Sequence, residues 1–301
     1  MGNFGGDFKI GGKAKYFLVA KNKNQILNGI LWAKKRKIPF FILGGGSNVL
    51  FSDKGYEGLV IKLQNTKYEI RNTKIVAESG VPLQKLVIES AKKGLSGLEN
   101  LAGIPGTLGG AIYGNAGVFG REIGDLVEEV EVLDVRGPKL EVKRLQNKDC
   151  KFGYRESIFK RKKNWVILGA TLKLKKGKKK EIEEKIKKIL KLRKERQPLE
   201  FPSAGSVFKN VPIKNVSKKI REKFKEKIKN GFLPAGALIE AVGLKGYQIG
   251  GAKISEKHAN FIVNTGNAKA SDVLKLIETI KEKVKKKFKV QLEEEIELVG
   301  F

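Results

Sequence analysis

Apolar positions in this chain recur at two periods. In NQILNGILWAKKRK, Ile26, Leu27, Ile30 and Leu31 fall three and four residues apart, the spacing of one helical face. The runs around it, YFLVA, PFFIL and GLVIKL, are short, apolar and β-branched or aromatic, as extended strands are. A second segment opens with the alternating strands YEIRN and KIVAES. A helix follows, with Pro82 in its first turn and Leu83, Leu86, Val87 and Ala91 inward. Strands return at VEEVEVLDV and WVILGATLKL. A basic helix after Lys178 then carries Ile182, Ile186, Ile189 and Leu190 on one face.

From about Gln197 the character changes. The uncharged loop FPSAGSVF leads to GALIEAVG, to NFIVN and to a long helix from Ser271 to about Lys287. That helix aligns Val273, Leu276, Ile277, Ile280 and Val284, with Ser271 expected as its N-cap. The chain ends in the strand EIELV. The pattern predicts an α+β protein with two N-terminal lobes and a C-terminal lobe. It shows neither a long-period repeat nor a disordered linker.

Composition narrows the function classes. The chain has 301 residues, 41% of them hydrophobic, enough for a substantial core. No apolar run approaches the roughly 18 residues of a membrane span. The N-terminal stretch lacks a basic-then-apolar leader pattern, so a soluble, cytoplasmic protein without membrane insertion is expected. One cysteine, Cys150, excludes an internal disulfide and a CxxC redox pair. Together with the single His258 it argues against a nitrogen–sulfur zinc site, so no metal is expected. The formal charge of +30 attracts polyanions. The lysines, however, spread over nearly the whole chain and fill the outer faces of amphipathic helices. No obligate nucleic-acid partner is expected, whereas a phosphate-bearing ligand would benefit from the field.

Two glycine clusters invite a ligand. GGGSNVL follows a strand, where bare backbone can approach a phosphate or simply make a tight turn. It is neither a P-loop nor a dinucleotide fingerprint, because no Gly-Lys-Ser/Thr and no immediate helix follow. The second cluster, GLENLAGIPGTLGGAIYGNAGVFG, is too glycine-dense for regular elements and predicts loops with close backbone contacts. By spacing alone, a packed loop and a cradle for a flat or phosphorylated ligand both remain open. Ser203 and Ser206 stand in FPSAGSVFKN. The nucleophile-elbow pattern is absent, since Phe208 occupies the position of its second glycine.

Taken in order, FKIGGKAKYF, LGGGSNVL, AGIPGTLGGAIYGNAG, FGYRESIFK, PSAGSVFKN, PAGALIEAVGLKGYQIGGAKISEKHANFIVN and LEEEIELVG resemble the UDP-N-acetylenolpyruvoylglucosamine reductases over almost the full length. The resemblance implies a two-lobed FAD-binding domain of the vanillyl-alcohol-oxidase type, with lobes at 1–64 and 65–196, and a substrate domain at 197–301. It implies non-covalent FAD, NADPH as co-substrate and a UDP-sugar substrate, and leaves the oligomeric state open. The branch lacking an extra tyrosine-bearing loop is expected, because little chain separates GYRES from PSAGS beyond a strand and the basic helix. FAD is expected on Gly44, Gly45, Gly46, Ser47 and Asn48, and on Gly103, Ile104, Pro105, Gly106, Gly109, Gly110, Gly114, Asn115, Ala116 and Gly117.

The implied reaction reduces a carbon–carbon double bond beside a carboxylate, so negative charge builds on the α-carbon and carboxylate. By resemblance Arg155 and Glu295 stabilise that intermediate, and Ser206 delivers the proton. Tyr154, Lys209, Asn210, Lys245 and Gln248 are expected at the substrate. His258 is expected to be structural. The chain departs from the family at Glu294, where proline is usual, and at Ala237, where tryptophan is usual; the run of glutamates makes Glu295 the assignment that rests most on register. Two other classes compete. Another FAD oxidoreductase on the same fold would lack the combined Tyr-Arg, Ala-Gly-Ser and C-terminal glutamate motifs. A basic binder of nucleic acid or anionic surfaces would be colourless.

Overall fold

The structure, a computed structural model, describes residues 6–118, 120–137 and 139–301; the first five residues of the stretch read for a leader lie outside them. The chain forms two compact units. One comprises Ala14–Gly45 and Glu57–Arg193, the other residues 6–13, Gly46–Tyr56 and Lys194–Phe301.

Two sheets of three or more strands organise the described residues of the first unit. In a three-stranded sheet, Tyr56–Leu63 lies between Ala14–Ala20 and Phe40–Leu43, and pairs in parallel with the latter. The helix Lys23–Lys35 connects them. Asn22 caps it, its side chain accepting from the Gln25 amide at 2.9 Å. Ile26, Ile30 and Ala33 are fully buried from that helix and share a core with Leu59 and Ile61. Burying each such aliphatic side chain contributes about 1.5–3 kcal/mol.

The larger sheet is antiparallel, in the order Glu141–Gln146, Val127–Asp134, Trp165–Lys173, Lys74–Glu78, Tyr68–Arg71. The strand Glu141–Gln146 is not legible from periodicity. It is an edge strand with half of its side chains charged and most of them exposed, the usual protection of an open edge. The helix Leu83–Lys92 buries Leu83, Leu86, Val87 and Ala91 as its spacing predicts. The glycine-dense region contains a short helix, Leu108–Tyr113, where loops are predicted. Thr107 starts it by accepting from the Gly110 amide at 3.4 Å, and Leu108, Ala111 and Ile112 sink into the core.

In the second unit, Ser203–Ser206, Phe261–Asn264, Ala252–Ile254 and Gln248–Ile249 form an antiparallel sheet in that spatial order. The helix Ala270–Phe288 buries Val273, Leu276, Ile277, Ile280 and Val284 in a core that also takes Phe8 and Leu50. Ser271 is not its N-cap; Lys269 is. The first amides are satisfied from elsewhere in the chain. The Asp53 carboxylate accepts from the Ala270 and Ser271 amides at 2.7 and 3.0 Å, where the helix dipole favours an anion. Those two bonds draw the Asp53 carboxyl below its ordinary pKa despite the opposing effect of burial, the largest influence on it. The last strand, Glu297–Val299, pairs in parallel with Val49–Phe51. The segment after the first glycine cluster therefore belongs in space with the chain's end.

Candidate active site

The two glycine clusters meet at Gly44 and Gly45. A Cβ on Gly44 would lie 2.7 Å from Thr107 Oγ1, and one on Gly45 2.5 Å from Gly106 Cα. Gly109 is equally confined, since a Cβ there would lie 2.8 Å from Ser79 Cβ. These three glycines are explained by packing. Gly110 and Gly114 are not: a Cβ at either would meet nothing closer than 3.6 Å. Packing does not require glycine there, and the bare backbone leaves room for a ligand. Lys62 Nζ donates to the Gly45 carbonyl at 3.1 Å, placing a cation beside the loop. Arg193 packs on Gly103, whose Cβ would lie 2.6 Å from Arg193 Nε. Burial pushes the Arg193 pKa down, and its Nε has no hydrogen-bond partner among the described residues. Neither cation stands in a motif. In sequence each is one more basic residue of a basic chain.

The Tyr154-Arg155 pair forms the corner of a tight turn. Gly153 and Glu156 exchange backbone hydrogen bonds of 3.0 and 2.9 Å across it. Arg155 takes φ +55°, a left-handed conformation that side chains other than glycine and asparagine rarely adopt. Its guanidinium carbon stands 5.2 Å from the Tyr154 ring centroid, and its Nη2 donates to the Gly117 carbonyl at 2.9 Å. Asn115 is buried beneath this turn. Its Nδ2 donates to Gly153 O at 2.8 Å and to Glu122 Oε2 at 2.6 Å, and its Oδ1 accepts from the Gly124 amide at 3.0 Å. Asn115 is thus fully used in holding backbone and Glu122, a structural task beside the expected cofactor contact.

Ser206 ends a strand that is not regular. Ser203 pairs with Val263 and Ser206 with Phe261, so one extra residue is inserted between them. Gly205 provides the bulge at φ +76° with nothing within 4 Å of where a Cβ would stand. Its glycine is needed for conformation and not for space. The two serines therefore separate: Ser203 Oγ accepts from the Gly205 amide at 3.4 Å and supports the bulge, while Ser206 lies beyond the bulge and pairs with Phe261. Immediately beyond, the Glu295 amide donates to Val207 O at 2.7 Å and the Lys209 amide to Glu293 O at 2.9 Å. The glutamate run thus lies against the serine segment. Glu293 pairs with Lys209 at 2.5 Å and Glu294 with Lys281 at 2.8 Å. Asn48 Nδ2 donates to Glu295 O at 3.0 Å. Ser206, Glu295 and Asn48 are brought together by main-chain geometry.

The remaining candidates are more dispersed. Asn210 Oδ1 accepts from the Ala235 amide at 3.2 Å at the start of the helix Ala235–Ala241, whose Ala237 is buried. Lys245 pairs with Glu240 at 3.2 Å. Gln248 is exposed on the opposite edge strand of the sheet from Ser206, and donates to Gly250 O at 2.9 Å. His258 Nδ1 accepts from the Asn260 amide at 3.2 Å, and its ring lies edge-on to Phe261. Burial, assisted by the Lys245 charge, holds the imidazole pKa down. Asn260 in turn bonds the Phe208 amide and carbonyl at 3.0 and 2.8 Å, so His258 braces the serine segment.

Comparison with known proteins decides the family. The model described as "UDP-N-acetylenolpyruvoylglucosamine reductase, C-terminal domain" matches residues 197–299, and that described as "FAD binding domain" matches 14–143. A UDP-N-acetylenolpyruvoylglucosamine reductase of Caldanaerobacter subterraneus subsp. tengcongensis is 47% identical over 97% of this chain and 90% of its own. One of Fervidobacterium nodosum is 43% identical over 97% and 88%. The chain belongs to the UDP-N-acetylenolpyruvoylglucosamine reductase family. The crystal structure of the Thermus caldophilus reductase matches with a TM-score of 0.77 and 32% identity, over 98% of this chain and 96% of that one.

The fold is accordingly the α+β arrangement expected, an FAD-binding domain of the vanillyl-alcohol-oxidase type with a reductase C-terminal domain. Family membership makes the protein a flavin oxidoreductase that reduces UDP-N-acetylenolpyruvoylglucosamine, a small molecule. The FAD-domain match spans both glycine clusters, and the C-terminal match spans Ser206 and Glu295. Arg155 lies in the stretch between the two matches. Among the described residues no helix is long and apolar enough to cross a membrane, and no cluster of three or more His, Cys, Asp or Glu is placed to hold a metal.

Proposed function

We propose that this chain uses NADPH and non-covalently bound FAD to reduce the enolpyruvyl group of its UDP-sugar substrate, giving UDP-N-acetylmuramate for peptidoglycan precursors in the cytoplasm. The observation that carries the assignment is the Gly205 bulge, which resets the register at Ser206 in a strand whose continuation is bonded to Glu295.

The glycine loops at 44–48 and 103–117 would hold FAD, with Gly110 and Gly114 giving close approach and Lys62 and Arg193 countering the diphosphate charge. Bound there, the flavin would take a hydride from NADPH and supply it to the enolpyruvyl methylene. Arg155 offers its guanidinium fork to the substrate carboxylate as negative charge grows on it. The Ser206 hydroxyl gives its proton to the α-carbon. Glu295 sits on the same backbone scaffold and assists in holding the charged intermediate. Tyr154, Lys209, Asn210, Lys245 and Gln248 are assigned to the substrate's sugar, phosphates and carboxylate. Among them Gln248, on the far edge of the sheet, has the least geometric support.

A visible spectrum of the purified protein tests the function. The flavin band should be present, bleach anaerobically with NADPH and return on adding the enolpyruvyl substrate. A colourless protein that takes up no FAD would refute the assignment.

A further inference from the structure

The hairpin Gly117–Val118 to Arg121–Glu122 stands beside the Arg155 turn and carries a carboxylate that no motif singles out. Gly117 pairs across the hairpin with Glu122, and the Gly117 carbonyl accepts from Arg155 Nη2 at 2.9 Å. The Glu122 side chain folds back over Gly117: a Cβ at Gly117 would lie 2.7 Å from Glu122 Cγ. That carboxylate is gripped by Asn115 Nδ2 at 2.6 Å, and the same nitrogen holds Gly153 O at 2.8 Å, the base of the Arg155 turn. Asn115 is buried and its Oδ1 is occupied by the Gly124 amide, so it cannot swing away. One asparagine therefore ties Glu122 to the backbone from which Arg155 projects. Arg155 and Glu122 also act on each other electrostatically. Burial raises the Glu122 pKa, and the nearby guanidinium opposes that rise.

We propose that Glu122, held by Asn115, is a positioning residue that fixes the Arg155 guanidinium before substrate binds. Gly117 O takes one guanidinium nitrogen and the Glu122 carboxylate biases the charge from beside it. The fork then needs no reorganisation when negative charge develops on the substrate. The inference rests on the reading of Arg155 as the group facing the substrate carboxylate.

The test uses FAD-loaded full-length protein and measures the two half-reactions separately, with NADPH for flavin reduction and the enolpyruvyl UDP-sugar for reoxidation. Glu122→Gln keeps the shape and loses the charge. It is expected to leave flavin content and NADPH-driven reduction within about twofold and to slow reoxidation about 10- to 100-fold, chiefly in the limiting rate. Because Glu122 acts through Arg155, adding Glu122→Gln to Arg155→Ala should cost nothing further. Glu122→Asp, which keeps the charge at shorter reach, is the second variant should Gln lose flavin, and it should show the same non-additivity.

Four outcomes overturn the proposal. One is unchanged reoxidation in Glu122→Gln while Arg155→Ala is crippled, which leaves the role of Arg155 standing. Full additivity of the single and double variants is another, and so is a joint fall of both half-reactions and the melting temperature, which marks a purely structural carboxylate. Normal reoxidation in Arg155→Ala removes the underlying reading and the inference with it.

Discussion

The left-handed backbone at Arg155 allows a stability measurement that separates conformation from contacts. An L side chain at φ +55° costs roughly 1–2 kcal/mol that glycine does not incur. Both Arg155→Ala and Arg155→Gly remove the same side-chain contacts. These include the 2.9 Å bond to Gly117 O, worth about 1 kcal/mol net, and the Tyr154 ring contact, worth about 0.5–1 kcal/mol. Only the glycine variant relieves the backbone, and it also loses about 0.5–1 kcal/mol through the greater freedom of the unfolded chain. The glycine variant should therefore be more stable than the alanine variant by about 0.5–1 kcal/mol, the reverse of their order in a helix. Urea unfolding and thermal melts of the two variants, at matched FAD saturation, read that difference directly. Both should fail in substrate-driven flavin reoxidation. If alanine equals or exceeds glycine in stability, the turn is not strained as the geometry says, and the case that strain is retained there for function falls with it.

Ser206→Ala should leave NADPH reduction of the flavin near normal and slow reoxidation by substrate about 100- to 10,000-fold in stopped-flow; equal loss in both halves would remove the proton-donor role. Gly110→Ala, with room for its methyl, should keep its melting temperature without cofactor yet weaken FAD in a titration; Gly45→Ala, 2.5 Å from Gly106 Cα, should lower both. The Arg136 guanidinium, 2.6 Å from Asp134, holds that carboxyl far below the usual carboxylate range. Its stabilising effect is complete above the unfolded pKa of about 3.9 and is lost as pH falls towards the depressed folded value. Asp134→Asn should thus cost more at pH about 7 than at pH about 2 in denaturant titrations. Burial pushes the Cys150 thiol up to about 12, so an alkylating reagent at mildly alkaline pH should label it only after unfolding.

How far these sites were legible differs from residue to residue. The helices Lys23–Lys35, Leu83–Lys92 and Ala270–Phe288 were readable because their buried faces are local: positions three and four apart must point the same way. The edge strand Glu141–Gln146 was not, since a solvated edge has no apolar alternation to display. Ser271 was the better cap by residue type. Asp53, more than two hundred residues away in sequence, displaced it by bringing a full negative charge to the same amides. Lys62, Arg193 and Glu122 left no signal at all in a chain with 62 basic and 32 acidic residues.

Order along the chain was enough to name the family, the cofactor class and the residues to test, because motif spacing and periodicity are properties of neighbours in sequence. The glycines could be counted there but not sorted. Which of them are required by packing, which by positive φ and which by neither depends on atoms contributed by distant segments. The same holds for the serines: both lie among small residues, and only the pairing of their strand with Phe261–Asn264 reveals that Gly205 inserts a bulge. It holds again for the glutamate run, whose members diverge only when Lys209 and Lys281 pair with Glu293 and Glu294 and the Val207 carbonyl takes the Glu295 amide. A side chain's type is set locally, but its direction, its charge partner and its exposure are set by whatever the fold packs against it.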